Sequence, residues 1–346
     1  MKLSKNVNNG SYFSNLISLC KKKTIKILFF ISSKIRFKLF FVILKALKSR
    51  QNSGKTSDLI FHFFDPNQIR RQGKWRIRSI KVQLVSNEGV KLNLDLSEHV
   101  DYVTYLNGSF DDLYKKLINY LISTSGSPWN FIDVGANLGS VAISIGKEVN
   151  VVAFEPQPDL FNRLVNHSKI NNCVNMQIEN SALTSEKIFQ EFDGVRNLYK
   201  PSGNSGATSF KSNWNPSLSS PTVIQAKLTT LDRHCEDKTL FEDNDKTILK
   251  IDVEGGELEV IQGASNFILK HKPIIILEYR TDLLKENSKT LIRYLESMSG
   301  YYIKKIGFDK DQGKVILDDL NLNFASCNLA LIPEEKKLYL KSIWPE

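Results

Sequence analysis

From residue 130 onward, short and almost wholly apolar segments alternate with longer segments of helical spacing. "NFIDV" at 130–134 leads to an amphipathic stretch near 138–147. "VVAF" at 151–154 is followed by "PDLFNRLVNHSKINN", and "VNMQIENSAL" comes next. Later "TILKIDV" runs into "EGGELEVIQGASNFILKH", and "PIIILEY" runs into a segment ending near "MSG" at 298–300. Strands separated by helices of ten or more residues need crossovers, and crossovers imply a parallel sheet. All-apolar strands imply that both faces of that sheet are covered. The pattern predicts a doubly wound α/β domain beginning near residue 100, with "YYIKKIGF", "GKVILDD" and "CNLALIP" as its last strands.

Other segments are less regular. "RIRSIKVQLVSNEGVKLNLDL" at 76–96 alternates apolar and polar residues around "SNEG", the pattern of a hairpin. "DDLYKKLINYLIS" at 111–123 has helical spacing and opens with acids, which suit a helix N-terminus. Residues 185–232 include "YKPSGNSGATSFKSNWNPSLSSP", whose Pro, Gly, Ser and Asn predict a long loop at the ligand-binding end of the sheet.

The formal net charge of +10 invites a nucleic-acid partner, but its distribution excludes one. Residues 1–50 hold ten Lys, two Arg and no acid, a charge of +12, so the remainder carries −2. A DNA or RNA binder needs a basic groove on its body, and the sequence gives little support for one. Within residues 21–50 the longest uncharged run, Ile27 to Ser33, is too short for a transmembrane helix or a signal peptide. At helical spacing the lysines gather on one side and Leu28, Phe29, Ile31, Leu39, Phe40, Val42, Ile43 and Leu47 fill much of the rest. Such a helix suits either peripheral contact with an anionic membrane or docking on the body. "SRQNSGKTSD" at 49–58 reads as a linker. Three parts are expected: an arm and linker at 1–58, a β-hairpin extension at 59–110, and the α/β domain at 111–346. Cys20, Cys173, Cys235 and Cys327 are scattered, with no metal or disulfide spacing. That suits a reducing cytoplasm, with the arm at the inner membrane surface as the peripheral option.

Ligands of an open α/β sheet bind beyond the carboxyl ends of its strands. The first end is "DVGANLG". Gly135 and Gly139 allow the backbone a sharp bend, and Asp133 places a negative charge that disfavours phosphate and favours a cation. A third glycine and a G-K-[ST] ending are both missing, which weakens dinucleotide and P-loop readings. The second strand ends at Glu155, 22 residues on, close to the spacing at which an acid meets ribose hydroxyls. The third ends "ENSAL", where Asn180 to Ala182 suit an adenine. The fourth ends "KIDVEGGE", with Asp252 and Glu254 on one side if the strand persists. The fifth ends at Glu278. A ribose, an adenine and a positive centre together describe S-adenosylmethionine.

At this point the chain resembles the FkbM family of S-adenosylmethionine-dependent methyltransferases. The matching segments are "FIDVGANLGSVAI", "VVAFEPQPDLFNRLVNHSKIN", "SALT", "GNSGATSF", "TTLD", "ILKIDVEGGELEVIQGA" and "PIIILE", in family order over about residues 100–333. The resemblance implies a class I methyltransferase fold: a Rossmann-like sheet of seven strands, the last antiparallel. It implies that Asp133, Gly135, Asn137 and Gly139 hold the methionine end of the cofactor, with Glu155 at the ribose and Ser181 and Ala182 near the adenine. Asp252, also a cofactor contact, and Glu254 then face the methyl-transfer centre, and Gly203 to Ser209 close over the cofactor. Ser140 stands where the family often has an aromatic, and Gly256 where it often has Ala.

The expected activity is O-methylation of a hydroxyl on a sugar, glycan or natural product. Asp252, Glu254 and Glu278 are the candidate catalytic acids, and His234 is a further candidate base. No metal is required by the spacing, although clustered acids also suit a divalent cation on a diol. The rivals are a catalytically silent protein that binds the same cofactor and an NAD-linked enzyme.

Overall fold

The computed structural model describes residue 79 and residues 81–124, 129–212, 221–237, 246–284, 287–320 and 326–344. The chain divides into two compact units, Met1–Ile77 and Arg78–Glu346. The first unit, with the amphipathic arm and linker, lies outside the described residues.

The second unit opens with the hairpin β1 (Lys81–Val85) and β2 (Lys91–Asp95), paired antiparallel. Two helices follow, α1 (His99–Asn107) and α2 (Asp112–Thr124). The first ends at Gly108, whose φ of 74° allows the left-handed turn that stops it. Next come β3 (Trp129–Val134), α3 (Ser140–Ile145), β4 (Asn150–Phe154), α4 (Pro158–Ile170) and β5 (Met176–Glu179). After the insertion described below come β9 (Lys246–Ile251) and β10 (Ile274–Arg280). β11 (Tyr301–Asp309), β12 (Lys314–Asp319) and β13 (Ser326–Pro333) complete the sheet.

Among the described residues the main sheet has eight strands in the order β12-β11-β13-β10-β9-β3-β4-β5. From β10 through β5 neighbouring strands run parallel, while β13 is antiparallel to β10 and to β11. This is the expected doubly wound α/β sheet, with β13 as its antiparallel strand and β12 added at the edge. Every residue of β3 is buried, as is all of β9 except its first. One face of the sheet packs Leu249, Ile251, Ile275 and Leu277 against Leu258, Ile261 and Phe267 from the crossover helices.

The hairpin and α1 are tied to α4. The Asn171 side chain bonds both backbone groups of Lys91, and His167 Nε2 accepts from the Asn93 N–H. Buried Asp101 on α1 pairs with Arg163 on α4.

Two expectations need correction. Residues 185–232 are not simply a loop. They follow β6 (Ala182–Leu183) and contain helix α5 (Glu186–Glu191), β7 (Val195–Lys200) and β8 (Thr222–Thr229). The three strands form a second sheet, β6-β8-β7. "VRNLYK" and "TVIQAKLT" alternate well enough to pair, and the Pro, Gly and Ser that signalled a loop are concentrated between them. After helix α6 (Leu231–Asp237), the segment 257–271 is two helices, α7 (Glu257–Gln262) and α8 (Ser265–His271). They part at Gly263, where a Cβ would stand 1.9 Å from the Thr184 carbonyl oxygen. The Asp232 carboxylate then accepts the N–H groups of Asn266 and Phe267 at the start of α8.

Candidate active site

Parallel β3, β4, β9 and β10 deliver their carboxyl ends to one edge of the sheet, beside a cavity of about 670 Å³. That is within the range of small-molecule and cofactor sites. Register decides which side chains share it. Asp133 of β3 is the partner of Lys250 on β9, which is in turn the partner of Ile276 on β10. Since side chains alternate, Asp133, Lys250, Asp252 and Glu278 come out on one face.

Gly135, φ 78°, is required where the chain leaves β3: a Cβ there would stand 1.9 Å from the Asp252 carbonyl oxygen. The ends of β3 and β9 approach this closely because the Asp252 N–H donates to the Val134 carbonyl. Gly135 and Ala136 both donate to the Phe154 carbonyl, which turns the chain toward β4. Asn137, φ 53°, then donates its N–H to Glu155 Oε2 at 2.8 Å. Glu155 Oε1 accepts the Gln157 N–H at 2.9 Å. Glu155 is 3% exposed, and burial pushes its carboxyl up to about 7 against the pull of those two bonds. A carboxylate has about four acceptor positions, so two remain for a ligand.

Asp133, Gly135, Asn137, Glu155, Ser181, Ala182, Asp252, Glu254 and Glu278 all line the cavity. Gly139 does not. Its φ of 78° and the 2.2 Å approach of Leu164 to its would-be Cβ make it the contact between the β3 turn and α4. His234 also stands elsewhere. It packs edge-on against Phe154 at 5.1 Å and faces Gln177 and Glu179, outside the cavity lining.

Two lining residues were not singled out in the sequence as site residues. Lys250, 2% exposed, donates to Asp133 Oδ1 at 3.0 Å and lies 3.6 Å from Asp252 Oδ2. Burial alone would lower its pKa, but the carboxylates of Asp133, Asp252 and Asp111 outweigh that and raise it. The carboxylate of Asp133, read from the sequence as facing a cationic ligand, is paired through Oδ1 with Lys250, while Oδ2 is buried with no hydrogen-bond partner among the described residues. Asp111, φ 59°, does more than open α2. It lines the cavity, and burial first, then the charge of Asp252, push it up to about 7.

The part of the cavity around Asp252 is accordingly acidic. Glu278 is raised to about 8, by burial first and by Asp252 next, with Arg280 opposing. Glu254 is raised by burial and by Asp252 and Glu278, and lies 3.4 Å from Arg280. The strand does not persist to Glu254. β9 stops at Ile251, and Glu254 at φ 56° beside Gly255 at φ 100° forms a tight bend. A bulky residue in this left-handed region is uncommon and costs about 1 kcal/mol or more. Among the described residues no group of three or more His, Cys, Asp or Glu is arranged to hold a metal ion.

Residues 204–209 also line the cavity. Gln157 Nε2 donates to the Ser205 carbonyl and its Oε1 accepts from Thr208 Oγ1. Ser205 N–H donates to Glu98, and Ser209 Oγ donates to the Glu254 carbonyl at 3.1 Å. Asn137 Oδ1 and Ser205 Oγ are buried with no hydrogen-bond partner among the described residues. Groups of this kind in a cavity wall need a partner, which a water or a polar ligand supplies.

Residues 133–302 match the family described as the Methyltransferase FkbM domain. The chain is similar to the hexuronic acid methyltransferase AglP of Haloferax volcanii, 26% identical over 240 residues, which cover 68% of this chain and 88% of the relative. Among solved structures it is similar to methyltransferase FkbM from Methylobacillus flagellatus KT, at 14% identity and TM-score 0.35. That match covers 61% of this chain and 47% of the other, so the chain spans under half of that protein's length. It is also similar to TYW2 of M. jannaschii in complex with AdoMet, at 9% identity and TM-score 0.36, covering 74% of this chain and 86% of the other. The carboxyl ends of β3, β4, β9 and β10 all fall inside residues 133–302, and the part of the chain that carries them belongs to the FkbM methyltransferase domain family.

Proposed function

We propose that this chain is an S-adenosylmethionine-dependent O-methyltransferase whose acceptor is a hydroxyl of a sugar or glycan. One observation carries this reading. A buried Glu155, held at two points by backbone N–H groups, shares a single cavity with the carboxylates of Asp111, Asp252, Glu254 and Glu278. Glu155 has acceptor positions left for a ribose diol. The orphaned Asn137 Oδ1 and Ser205 Oγ offer further polar contacts, with Ser181 and Ala182 at the adenine side. The acidic end suits a positive centre. S-adenosylmethionine would supply there a methyl carbon made electrophilic by its sulfonium. The printed name of the relative, a hexuronic acid methyltransferase, supports a sugar acceptor.

The chain's own residues then have three tasks. Residues 203–209, braced on Gln157 and Glu98, cover the cavity and exclude water. Asp252 and Glu254 hold the acceptor and the positive centre in line. Glu278, raised to about 8, takes the hydroxyl proton as the oxygen attacks, since a base works best with a pKa near the working pH.

The test is transfer of labelled methyl to a panel of glycosides. An alkali-stable ether is the expected product, and Glu278→Gln is expected to lose roughly 100-fold or more in kcat. Label found only in an alkali-labile ester, or an unchanged kcat in the variant, contradicts the proposal.

A further inference from the structure

The cavity is rich in acids, yet one of its cations pairs with no acid among the described residues. Lys250 is engaged by Asp133 and Asp252, and Arg280 by Glu254. Arg196, on β7, lines the same cavity and forms no ion pair with any described residue. Its guanidinium carbon lies over two aromatic rings, 4.5 Å from the centroid of Phe192 and 5.0 Å from that of Phe210. Cation–π contacts of this kind restrain the guanidinium through the ring faces. They use none of its N–H donors, which stay available to a bidentate partner.

The placement ties this group to the acids. Tyr199, on the same strand as Arg196, exchanges backbone hydrogen bonds with Ser209, and Phe210 follows directly. The Ser209 hydroxyl in turn donates to the Glu254 carbonyl. Strand, aromatic clamp and acid-bearing bend therefore form one connected wall.

We propose that Arg196 is a specificity-determining residue that binds a carboxylate carried by the acceptor, while the reacting hydroxyl lies at the acidic end. This rests on the reading above that an acceptor sugar enters this cavity. The lining has seven Asp and Glu against four Lys and Arg. A singly charged carboxylate therefore enters at less electrostatic cost than a doubly charged phosphate, and the acceptor class is an acidic sugar.

The full chain, loaded with S-adenosylhomocysteine, is titrated calorimetrically with methyl β-D-glucuronide, methyl β-D-glucoside and glucose 6-phosphate. The uronoside is expected to bind about ten-fold or more tightly than either other sugar, as suits a charge-assisted bidentate contact. In Arg196→Gln the preference falls to about two-fold or less with S-adenosylhomocysteine affinity unchanged, and Arg196→Lys lies between. Equal binding of uronoside and glucoside, a preference for the phosphate, or a preference that survives Arg196→Gln overturns the proposal. If S-adenosylhomocysteine itself fails to bind, the methyltransferase reading fails separately. The same titrations on the unloaded chain then still decide the role of Arg196.

Discussion

Lys250 and Asp133 form the ionic centre of the site, and both are almost fully buried. Removing one member of such a pair leaves the other charged without a partner, at about 3–5 kcal/mol. Lys250→Met is therefore expected to lower the urea midpoint sharply, and the double change Lys250→Met with Asp133→Asn to recover a large part of the loss. A single variant within about 1 kcal/mol of the native chain contradicts this account of the pair. Lys250 was hidden in the sequence because "TILKIDV" reads as a buried strand, in which a lysine looks like an interruption. Only the register of β9 against β3 shows what it meets. Asp111 was hidden for the opposite reason: an acid at a helix start already has an ordinary explanation. Glu155, Asp252 and Glu278 were legible because each ends an apolar run, and parallel strands carry such ends to one place.

At the scale of elements, the wall at 203–209 meets both α1 and the β3 turn closely. A Cβ on Gly206 would stand 2.5 Å from Val100 Cγ2 and 3.3 Å from Asn137 Nδ2. Gly206→Val should push this wall off the turn, weakening S-adenosylmethionine binding by about ten-fold while the urea midpoint changes little. Such a split is expected of a surface segment that covers a site rather than a core. Unaltered affinity, measured by calorimetry, removes the closing role. The strands and crossover helices of the main sheet were readable from periodicity, because burial on both faces imposes it. The second sheet was not. β7 and β8 are half-exposed and separated by a polar stretch whose composition dominates the window. The division between α7 and α8 escaped notice because Gly263 is demanded by a tertiary neighbour, the Thr184 carbonyl, which no local pattern reveals.

For the whole molecule, several acids act together. Glu155, Glu257 and Asp111 are raised to about 7 and Glu278 to about 8, burial being the first cause for each. The folded chain thus holds protons that the unfolded chain has already released. Its stability contribution from these groups is complete below their ordinary values and is lost as pH rises toward 8. The thermal midpoint of the ligand-free protein is expected to fall between pH 5 and 8, and a flat or rising midpoint contradicts the sign. A ligand with a positive centre favours the ionised carboxylates, so its affinity should rise over the same range with proton release. No helix among the described residues is long and apolar enough to cross a membrane. The most direct test of the central claim is calorimetric titration of the full chain with S-adenosylmethionine and with NAD, on the native protein and on Glu155→Ala. S-adenosylmethionine is predicted to bind at one site, NAD not to bind, and Glu155→Ala to weaken S-adenosylmethionine by about ten-fold or more, as loss of charge-assisted hydrogen bonds requires. No heat from S-adenosylmethionine, or full affinity without the Glu155 carboxylate, would contradict the account.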